Sequence, residues 1–306
     1  MTDSDPTKPL KDFQPQKDFF VGIDSDGCVF DTMEIKQKEC FIPNIIKHWH
    51  LQAVSKFVRQ TAEFVNLYSP YRGLNRWPAL IKVFDLLAER PEVKSRNVTI
   101  PPVPTLRQWI NSETKLSNPA LLREIQKTND PILIQALTWS EAVNADIAEM
   151  VHDVPPFTWV QSSLEKITAV ADVIVVSQTP TEALSREWRE HHLAAYPRLL
   201  VGQEMGAKSQ HLALTAKGKY PPHHILVLGD APGDRQAAQN IHALFYPIIP
   251  GAEDRSWQKF HDEALDLFLH EKFAGLYQQK LNDQFDQHLP AQPPWTNNQP
   301  EPNLYG

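Results

Sequence analysis

Short apolar runs alternate with amphipathic stretches in the second half of the chain. Runs of this length predict buried strands, and the stretches between them have the apolar spacing of helices. The predicted strands lie at residues 173–176, 199–202, 225–228 and 244–249, and the predicted helices begin near residues 160, 179, 207 and 234. Fully apolar strands that alternate with helices indicate a parallel sheet covered on both faces.

One further strand is predicted near the amino terminus, followed by a long helical region. Residues 19–23 are apolar and end at Asp24, whereas residues 33–155 have a helical pattern with helix starts at Asn118 and Asp130. Residues 179–182 read TPTE, a capping-box pattern that predicts a helix with Thr179 as its cap. We therefore predict an α/β fold, a Rossmann-like three-layer core with a parallel sheet and an inserted all-helical region.

The same patterns divide the chain into segments. Proline is abundant, at 26 residues, and is concentrated towards the two ends. The predicted segments are a polar amino-terminal tail (1–17), the core (18–32 and 156–280), the helical insertion (33–155) and a proline-rich carboxyl-terminal tail (281–306). An insertion of this length predicts a small domain of its own rather than a loop.

Composition narrows the classes of function. The 306 residues carry a net charge of −7, which does not favour bulk attraction to nucleic acid or to an anionic membrane. Two cysteines exclude a disulfide-rich scaffold and a four-cysteine zinc site. No apolar run reaches the roughly 20 residues of a membrane helix. We expect a cytoplasmic protein with no nucleic-acid or membrane partner, and the sequence leaves its oligomeric state open.

Side chains that could take part in catalysis or metal binding follow the predicted strands. They are Asp24, Asp26, Ser177, Lys208, Asp230 and Asp234. Ligands of open α/β sheets bind beyond the carboxyl ends of the strands, so these groups are expected to meet there. Carboxylates crowded together repel one another, and a divalent cation relieves the conflict; an all-oxygen set suits Mg²⁺. The hydroxyl and the ammonium predict a phosphate site, although each group alone also fits an ordinary turn or helix start.

Two segments make the pattern specific. Residues 21–31 read VGIDSDGCVFD and residues 225–234 read ILVLGDAPGD. Together with Ser177 and Lys208, in this order, they resemble the haloacid dehalogenase superfamily, most of whose members are phosphohydrolases. The resemblance covers residues 19–32 and about 156–273.

The resemblance implies roles for the acidic residues. Asp24 would be the nucleophile that accepts the phosphoryl group, and Asp26 would protonate the leaving oxygen and later activate water. Mg²⁺ would be held by the carboxylates of Asp24 and Asp230 and by the backbone carbonyl of Asp26. Since alkoxide needs a proton and halide does not, an acid at position 26 favours a phosphatase over a dehalogenase.

The remaining motif residues would serve the phosphoryl group. By the same resemblance, Ser177 and Lys208 would bind its oxygens, and Asp234 would support the metal site or orient Lys208. The lysine departs from the pattern of many relatives, since Ser209 follows it where they have proline.

An insertion after the first motif is a cap in the resembled superfamily, which closes over the site and selects the substrate. Within it, residues 68–77 concentrate aromatic and cationic side chains in a turn. Arg72, Asn75 and Arg76 are candidates for substrate contact. The alternative is that the arginines form surface ion pairs while the aromatic residues anchor the turn.

The sequence thus predicts a Mg²⁺-dependent phosphohydrolase acting on a small phosphorylated metabolite, a phosphate monoester, through a phosphoaspartate. A phosphotransferase or mutase, and a catalytically idle binding protein, remain open on the same scaffold. Residues 202–209 also come close to a P-loop, but Ala207 stands where that loop requires glycine. None of the 12 histidines has the spacing of a zinc helix motif, and pairs such as His223 and His224 are expected to be surface residues.

Overall fold

A computed structural model describes residues 5–296 of the chain. Of these, residues 5–36 and 147–286 form one compact unit, and residues 37–146 and 287–296 form a second. The first boundary lies a few residues beyond the predicted one, because side chains just after residue 31 bond back to the first motif. Of the predicted tails, residues 1–4 and 297–306 lie outside the described part.

The first unit is built on a parallel sheet. Within residues 5–296 its five strands are β1 (Phe19–Ile23), β2 (Ala171–Val176), β3 (Leu199–Val201), β4 (Ile225–Gly229) and β5 (Leu244–Pro247). Their order is β3-β2-β1-β4-β5, and every neighbouring pair is parallel. The predicted sheet is confirmed, and the order is that of a Rossmann-like fold.

The strand register sets the level at which the functional loops leave the sheet. Ile23 of β1 pairs with Val175 of β2 and with Leu228 of β4. The chain therefore leaves these three central strands side by side. The strand order reverses between β1 and β4, and open α/β sheets bind ligands at such a point.

Helices surround the sheet and make up most of the second unit. In chain order they are α1 (Lys8–Lys11), α2 (Thr32–Ile35), α3 (Ile42–His48), α4 (Ser55–Leu67), α5 (Arg76–Glu89), α6 (Pro91–Lys94), α7 (Pro104–Ser112), α8 (Asn118–Thr128), α9 (Pro131–Met150), α10 (Val160–Val170), α11 (Thr181–Glu190), α12 (Lys208–Thr215), α13 (Pro232–Asn240), α14 (Glu253–Lys259), α15 (Leu265–Leu269) and α16 (Leu276–His288). Within residues 5–296, no helix combines the length and the apolarity that crossing a bilayer would require.

Both faces of the sheet are covered, which explains the continuous apolar strands. On one face, Val21 and Ile23 belong to a buried cluster with residues of α10 and with Trp257 of α14. On the other, Phe20 packs against Tyr220, and a Cβ at Gly22 would lie 2.7 Å from Leu212 of α12. The unit is therefore a three-layer α/β structure, as the sequence predicts.

The ends of the first unit are more firmly packed than tails. Leu10 and Phe13 are buried, and Phe13 makes an edge-to-face contact with Phe20. Near the other end, Phe285 of α16 is buried against Phe245 of β5. The polar composition of both segments hides these few apolar anchors.

The helical unit has its own aromatic core. Trp77 makes edge-to-face contacts with Trp109 and Trp139, and all three are buried. Asp130 caps α9 by accepting hydrogen bonds from the backbone amides of residues 132 and 133. This agrees with the helix start predicted there.

Candidate active site

The loop after β1 turns back tightly on itself. The backbone amide of Asp24 still bonds to the carbonyl of Leu228 in β4, at 3.0 Å. The carbonyl of Ser25 then accepts hydrogen bonds from the amides of residues 28, 29 and 30. Gly27 has a φ of +74°, a conformation that favours glycine. The turn keeps Asp24 directly at the carboxyl end of the central strand.

Three carboxylates converge at this edge of the sheet. Oxygen atoms of Asp24, Asp230 and Asp234 all lie within 4.8 Å of one another. The exposed fractions of the three residues are 5%, 1% and 1%. The structure therefore brings together acidic groups that lie more than 200 positions apart in the sequence.

Lys208 joins this cluster from the start of α12. Its Nζ lies 2.7 Å from Oδ2 of Asp24 and 2.6 Å from Oδ1 of Asp234. The other oxygen of Asp234 accepts a hydrogen bond from the backbone amide of Ala231, at 3.0 Å. Asp234 thereby fixes both the lysine and the loop that carries Asp230.

Close packing at the end of β4 makes this arrangement possible. A Cβ atom at Gly229 would lie 2.4 Å from Cβ and Cγ of Asp234. Any larger residue would displace the carboxylate of Asp234, which is one of the two partners of Lys208. Glycine is needed here because it leaves room for a side chain.

Burial and the neighbouring charges shift the pKa values of Asp24 and Lys208. The pKa of Asp24 is raised well above its ordinary value by burial and by the carboxylates of Asp234 and Asp230, although the Lys208 ammonium opposes the shift. Burial lowers the pKa of Lys208, but Asp234 and Asp24 more than offset this, and the net shift is upward. The lysine is therefore held firmly as a cation.

The donor set fits a hard divalent cation. If all are ionised, the three carboxylates and the ammonium leave a net charge of −2 in a buried site. An all-oxygen group with this excess charge suits Mg²⁺. The residues present therefore agree with the metal that the sequence motifs imply.

Asp26 lies in a separate hydrogen-bond network. Its Oδ1 accepts from the hydroxyl of Thr32 and from Nζ of Lys36, both at 2.5 Å. Its Oδ2 accepts from the hydroxyl of Thr179, at 2.6 Å. Burial raises the pKa of this carboxyl, but Lys36, Thr179 and Thr32 outweigh burial and lower it to about 2.

None of these three donors was predicted from the sequence as a partner of Asp26. The capping box predicted for Thr179 is wrong, because α11 begins at Thr181 and the Thr179 hydroxyl is used by Asp26. Thr32 and Lys36 are four positions apart, so their side chains share a helix face. That spacing, directly after the first motif, is the signal that could have indicated them.

A partly buried carboxyl group, that of Glu187, lies next to Ser25 of the loop after β1. Ser25 donates from its hydroxyl to Oε2 of Glu187 at 3.3 Å and accepts from Nε1 of Trp188 at 3.0 Å. Burial, together with the charge of Asp26, raises the pKa of Glu187 to about 7. No motif predicts this residue, since it is one acidic position of an ordinary amphipathic helix.

Ser177 stands directly after β2, at the level of the loop after β1. It is buried, and its hydroxyl oxygen accepts a hydrogen bond from the amide of Thr179, at 3.0 Å. Contact with a phosphoryl group stays a prediction for this residue.

The three candidates in the helical unit are engaged within that unit. Nη1 of the buried Arg72 donates to the carbonyl of residue 67, and Asn75 caps α5. Nη1 of Arg76 donates to both oxygens of Ser140 and to Asn144, and its guanidinium stacks over a phenylalanine ring. Among the contacts found for residues 5–296, Arg76 does not form the surface ion pair weighed as an alternative, and Arg72 is buried rather than at the surface. Their contact with substrate stays a prediction.

Cys28 is not a competing nucleophile. It is fully buried, and burial together with the charges of Asp24 and Asp230 raises the pKa of its thiol well above the ordinary value. A thiolate is therefore disfavoured at this position.

Comparison with known proteins gave matches among solved structures. A haloacid dehalogenase-like hydrolase from Streptococcus pneumoniae is 13% identical over 78% of this chain and 90% of its own, with a TM-score of 0.40. A hydrolase of the same kind from Xanthomonas campestris is 10% identical over 85% and 96%, with a TM-score of 0.43. A protein described as a predicted phosphoglycolate phosphatase, from Haemophilus somnus 129PT, is 14% identical over 79% and 93%, with a TM-score of 0.44.

These neighbours are described in terms of the superfamily that the sequence motifs resemble. No family model and no curated protein matches the chain. Matches at this level of similarity do not establish a substrate, so the chemistry has to be argued from the side chains of the site.

Proposed function

We propose that the protein is a Mg²⁺-dependent phosphohydrolase that cleaves a small phosphate monoester through a phosphoaspartate on Asp24. The observation that carries the proposal is the buried cluster of Asp24, Asp230, Asp234 and Lys208 at the carboxyl ends of the central strands. It offers a nucleophile, an anion-binding cation and oxygen donors for a metal in one place.

In the first step, a carboxylate oxygen of Asp24 bonds to phosphorus while the bond to the ester oxygen breaks. Lys208 lies against Asp24 and offsets negative charge on the reacting groups. Mg²⁺, held by Asp24, Asp230 and the carbonyl of Asp26, would neutralise charge on the phosphoryl oxygens. The departing alkoxide takes a proton from Asp26.

In the second step, water attacks phosphorus, the acyl phosphate bond breaks, and Asp26 accepts a proton from the water. The low pKa of Asp26 in its present contacts favours this base role. The acid role of the first step requires a protonated carboxyl, which the Lys36 ammonium opposes. The two half-reactions therefore need Asp26 in different protonation states, protonated in the first and ionised in the second, and the contact with Lys36 favours only the second.

The rival activities make different use of the same residues. A P-loop NTPase would need Lys208 to face a loop of backbone amides, whereas its ammonium is bound to two carboxylates. A phosphotransferase or mutase would form the same phosphoaspartate but pass the group to a second substrate. An idle binding protein would bind phosphate without turnover.

The decisive test is hydrolysis of an aryl phosphate with and without Mg²⁺. Asp24→Asn should lose activity by on the order of 10⁴-fold or more, as expected when a nucleophile is removed. Asp283→Asn, an exposed position in α16, is the matched control and should keep full activity.

Turnover that survives in Asp24→Asn would contradict the phosphoaspartate route. Transfer to a sugar without release of inorganic phosphate would identify a phosphotransferase. A panel of phosphorylated metabolites would then narrow the substrate class.

A further inference from the structure

A second group of possible metal ligands lies away from the candidate active site. His223 and His224 end a short 3₁₀ turn (Pro222–His224) directly before β4, and Glu271 follows α15. One side-chain ligand atom from each lies within 4.8 Å of the others. Because β4 runs five residues from this turn to Gly229, the group is about 16 Å from the carboxylate cluster.

Two of the separations are close to those around a tetrahedral metal ion. Nε2 of His224 lies 3.1 Å from Oε1 of Glu271, and Nε2 of His223 lies 3.6 Å from Oε2 of the same residue. Zinc bonds of about 2.0–2.2 Å in tetrahedral geometry place neighbouring donor atoms about 3.3 Å apart. Each imidazole thus lies at about this distance from one oxygen of the Glu271 carboxylate.

The ring of His224 is oriented by an outer partner. Its Nδ1 lies 3.0 Å from the backbone carbonyl of Asp18, and a carbonyl only accepts, so Nδ1 carries a proton. In the neutral ring, Nε2 then presents its lone pair to Glu271. Two acceptor atoms 3.1 Å apart require a proton or a cation between them. A metal-bound histidine whose other ring nitrogen donates to a carbonyl has this same arrangement.

Neighbouring groups hold the ligands in place. The ring of Phe19 stacks on the imidazole of His224, with centroids 4.2 Å apart. The ring of His223 packs edge-on against the same imidazole of His224. The imidazole side chains are 50% and 18% exposed, for His223 and His224, and that of Glu271 is 57% exposed. An ion could therefore enter from solvent without any rearrangement of the core.

We propose that His223, His224 and Glu271 bind a divalent transition-metal ion of the zinc class, and that this ion links the turn before β4 to the turn after α15. Nitrogen ligands favour such an ion over Mg²⁺, which prefers oxygen. The proposal does not depend on the hydrolase activity. Sequence spacing missed the site because its third ligand comes from a distant turn.

The test is calorimetric titration of the full chain with Zn²⁺ in excess Mg²⁺, which occupies the carboxylate cluster in our proposal. The wild type should bind one Zn²⁺ more than His223→Ala or Glu271→Gln, and Zn²⁺ should raise the melting temperature of the wild type but not of these two variants. Loss of an outer partner already weakens metal binding by about 10- to 100-fold, so loss of a ligand should weaken it at least as much.

His242→Ala removes an exposed histidine of the same unit and serves as the control, with binding expected to be unchanged. His223→Ala and Glu271→Gln alter exposed side chains, so circular dichroism should show both folded. Equal Zn²⁺ binding by the wild type and both variants would overturn the proposal and leave the contact as a protonated ion pair. A signal lost only in Asp24→Asn would overturn it too, by assigning the ion to the carboxylate cluster.

Discussion

The ammonium nitrogen of Lys36 lies 2.5 Å from Oδ1 of Asp26, and the two side chains are only 13% and 19% exposed. This contact lowers the pKa of Asp26, the proposed acid–base residue, whereas burial raises the pKa of Asp24, the proposed nucleophile two positions earlier. The pKa values of two carboxyl groups in one loop are thereby shifted in opposite directions. Such a separation is typical of sites that carry out acid–base chemistry.

Replacing Lys36 should therefore change turnover rather than substrate binding. Proton transfer by a positioned side chain contributes about 10²–10⁴-fold, so we expect Lys36→Met to lower kcat by about 10- to 100-fold with little change in KM. Lys36→Arg should recover part of the loss because it keeps the charge. Lys280→Met, at an exposed position of α16, is the control. An unchanged kcat in Lys36→Met would show that the contact is irrelevant to catalysis.

Removing Lys208 should destabilise the fold as well as the activity. The change to methionine leaves Asp24 and Asp234 buried without their shared cation. Breaking a buried ion pair costs about 3–5 kcal/mol, and chemical unfolding should show a loss of that size in Mg²⁺-free buffer. Added Mg²⁺ should restore part of it. A variant as stable as the wild type would argue against the charge balance described for the cluster.

Metal binding should be visible without any substrate. Mg²⁺ in 100-fold excess over its dissociation constant should stabilise the wild type by about 2.7 kcal/mol, measured as a rise in melting temperature that EDTA reverses. Asp230→Asn removes a proposed ligand and should abolish the rise. Asp262→Asn, an exposed position, should retain it. Identical Mg²⁺ responses in the two variants would locate the ion elsewhere.

Glu187 should make stability fall between mildly acidic and neutral pH. Its pKa is about 7 in the fold against an ordinary 4.5, so the protonated form is favoured by folding. Its contribution is fully present below pH 4.5 and is lost as the pH rises through 7. The pKa shift of Glu187 corresponds to a contribution of roughly 3 kcal/mol at most to the free energy of unfolding.

Urea unfolding across this pH range checks the effect. Glu187→Gln should flatten the decline, because glutamine does not ionise, whereas Glu182→Gln, exposed on the same helix, should reproduce the wild-type curve. A decline that persists unchanged in Glu187→Gln would assign it to another group. Asp26 contributes in the opposite sense and at lower pH, where protonation below its ordinary pKa of 3.8 removes stability.

The sheet and the residues after its strands were predictable because apolar runs and strand ends are local patterns. Asp24 and Asp230 directly follow β1 and β4, and Lys208 begins α12, the helix that follows β3. The donors to Asp26 were harder to predict, since Thr32 lies at the start of α2 and Thr179 lies in the loop after β2, nearly 150 positions apart in the sequence. The contacts of Glu187 with Ser25, and those of Glu271 with His223 and His224, join segments far apart in the chain. A periodic sequence pattern cannot predict such contacts.

The position of β1 at the centre of the sheet has a consequence for how the protein is made. This strand is synthesised before both of its neighbours, β2 and β4, which come some 150 to 200 residues later. An emerging chain must therefore keep one edge of this apolar strand unpaired until β4 has been translated. Such long-range pairing slows folding, and a polypeptide truncated before β4 would lack Asp230 and Asp234 of the candidate active site.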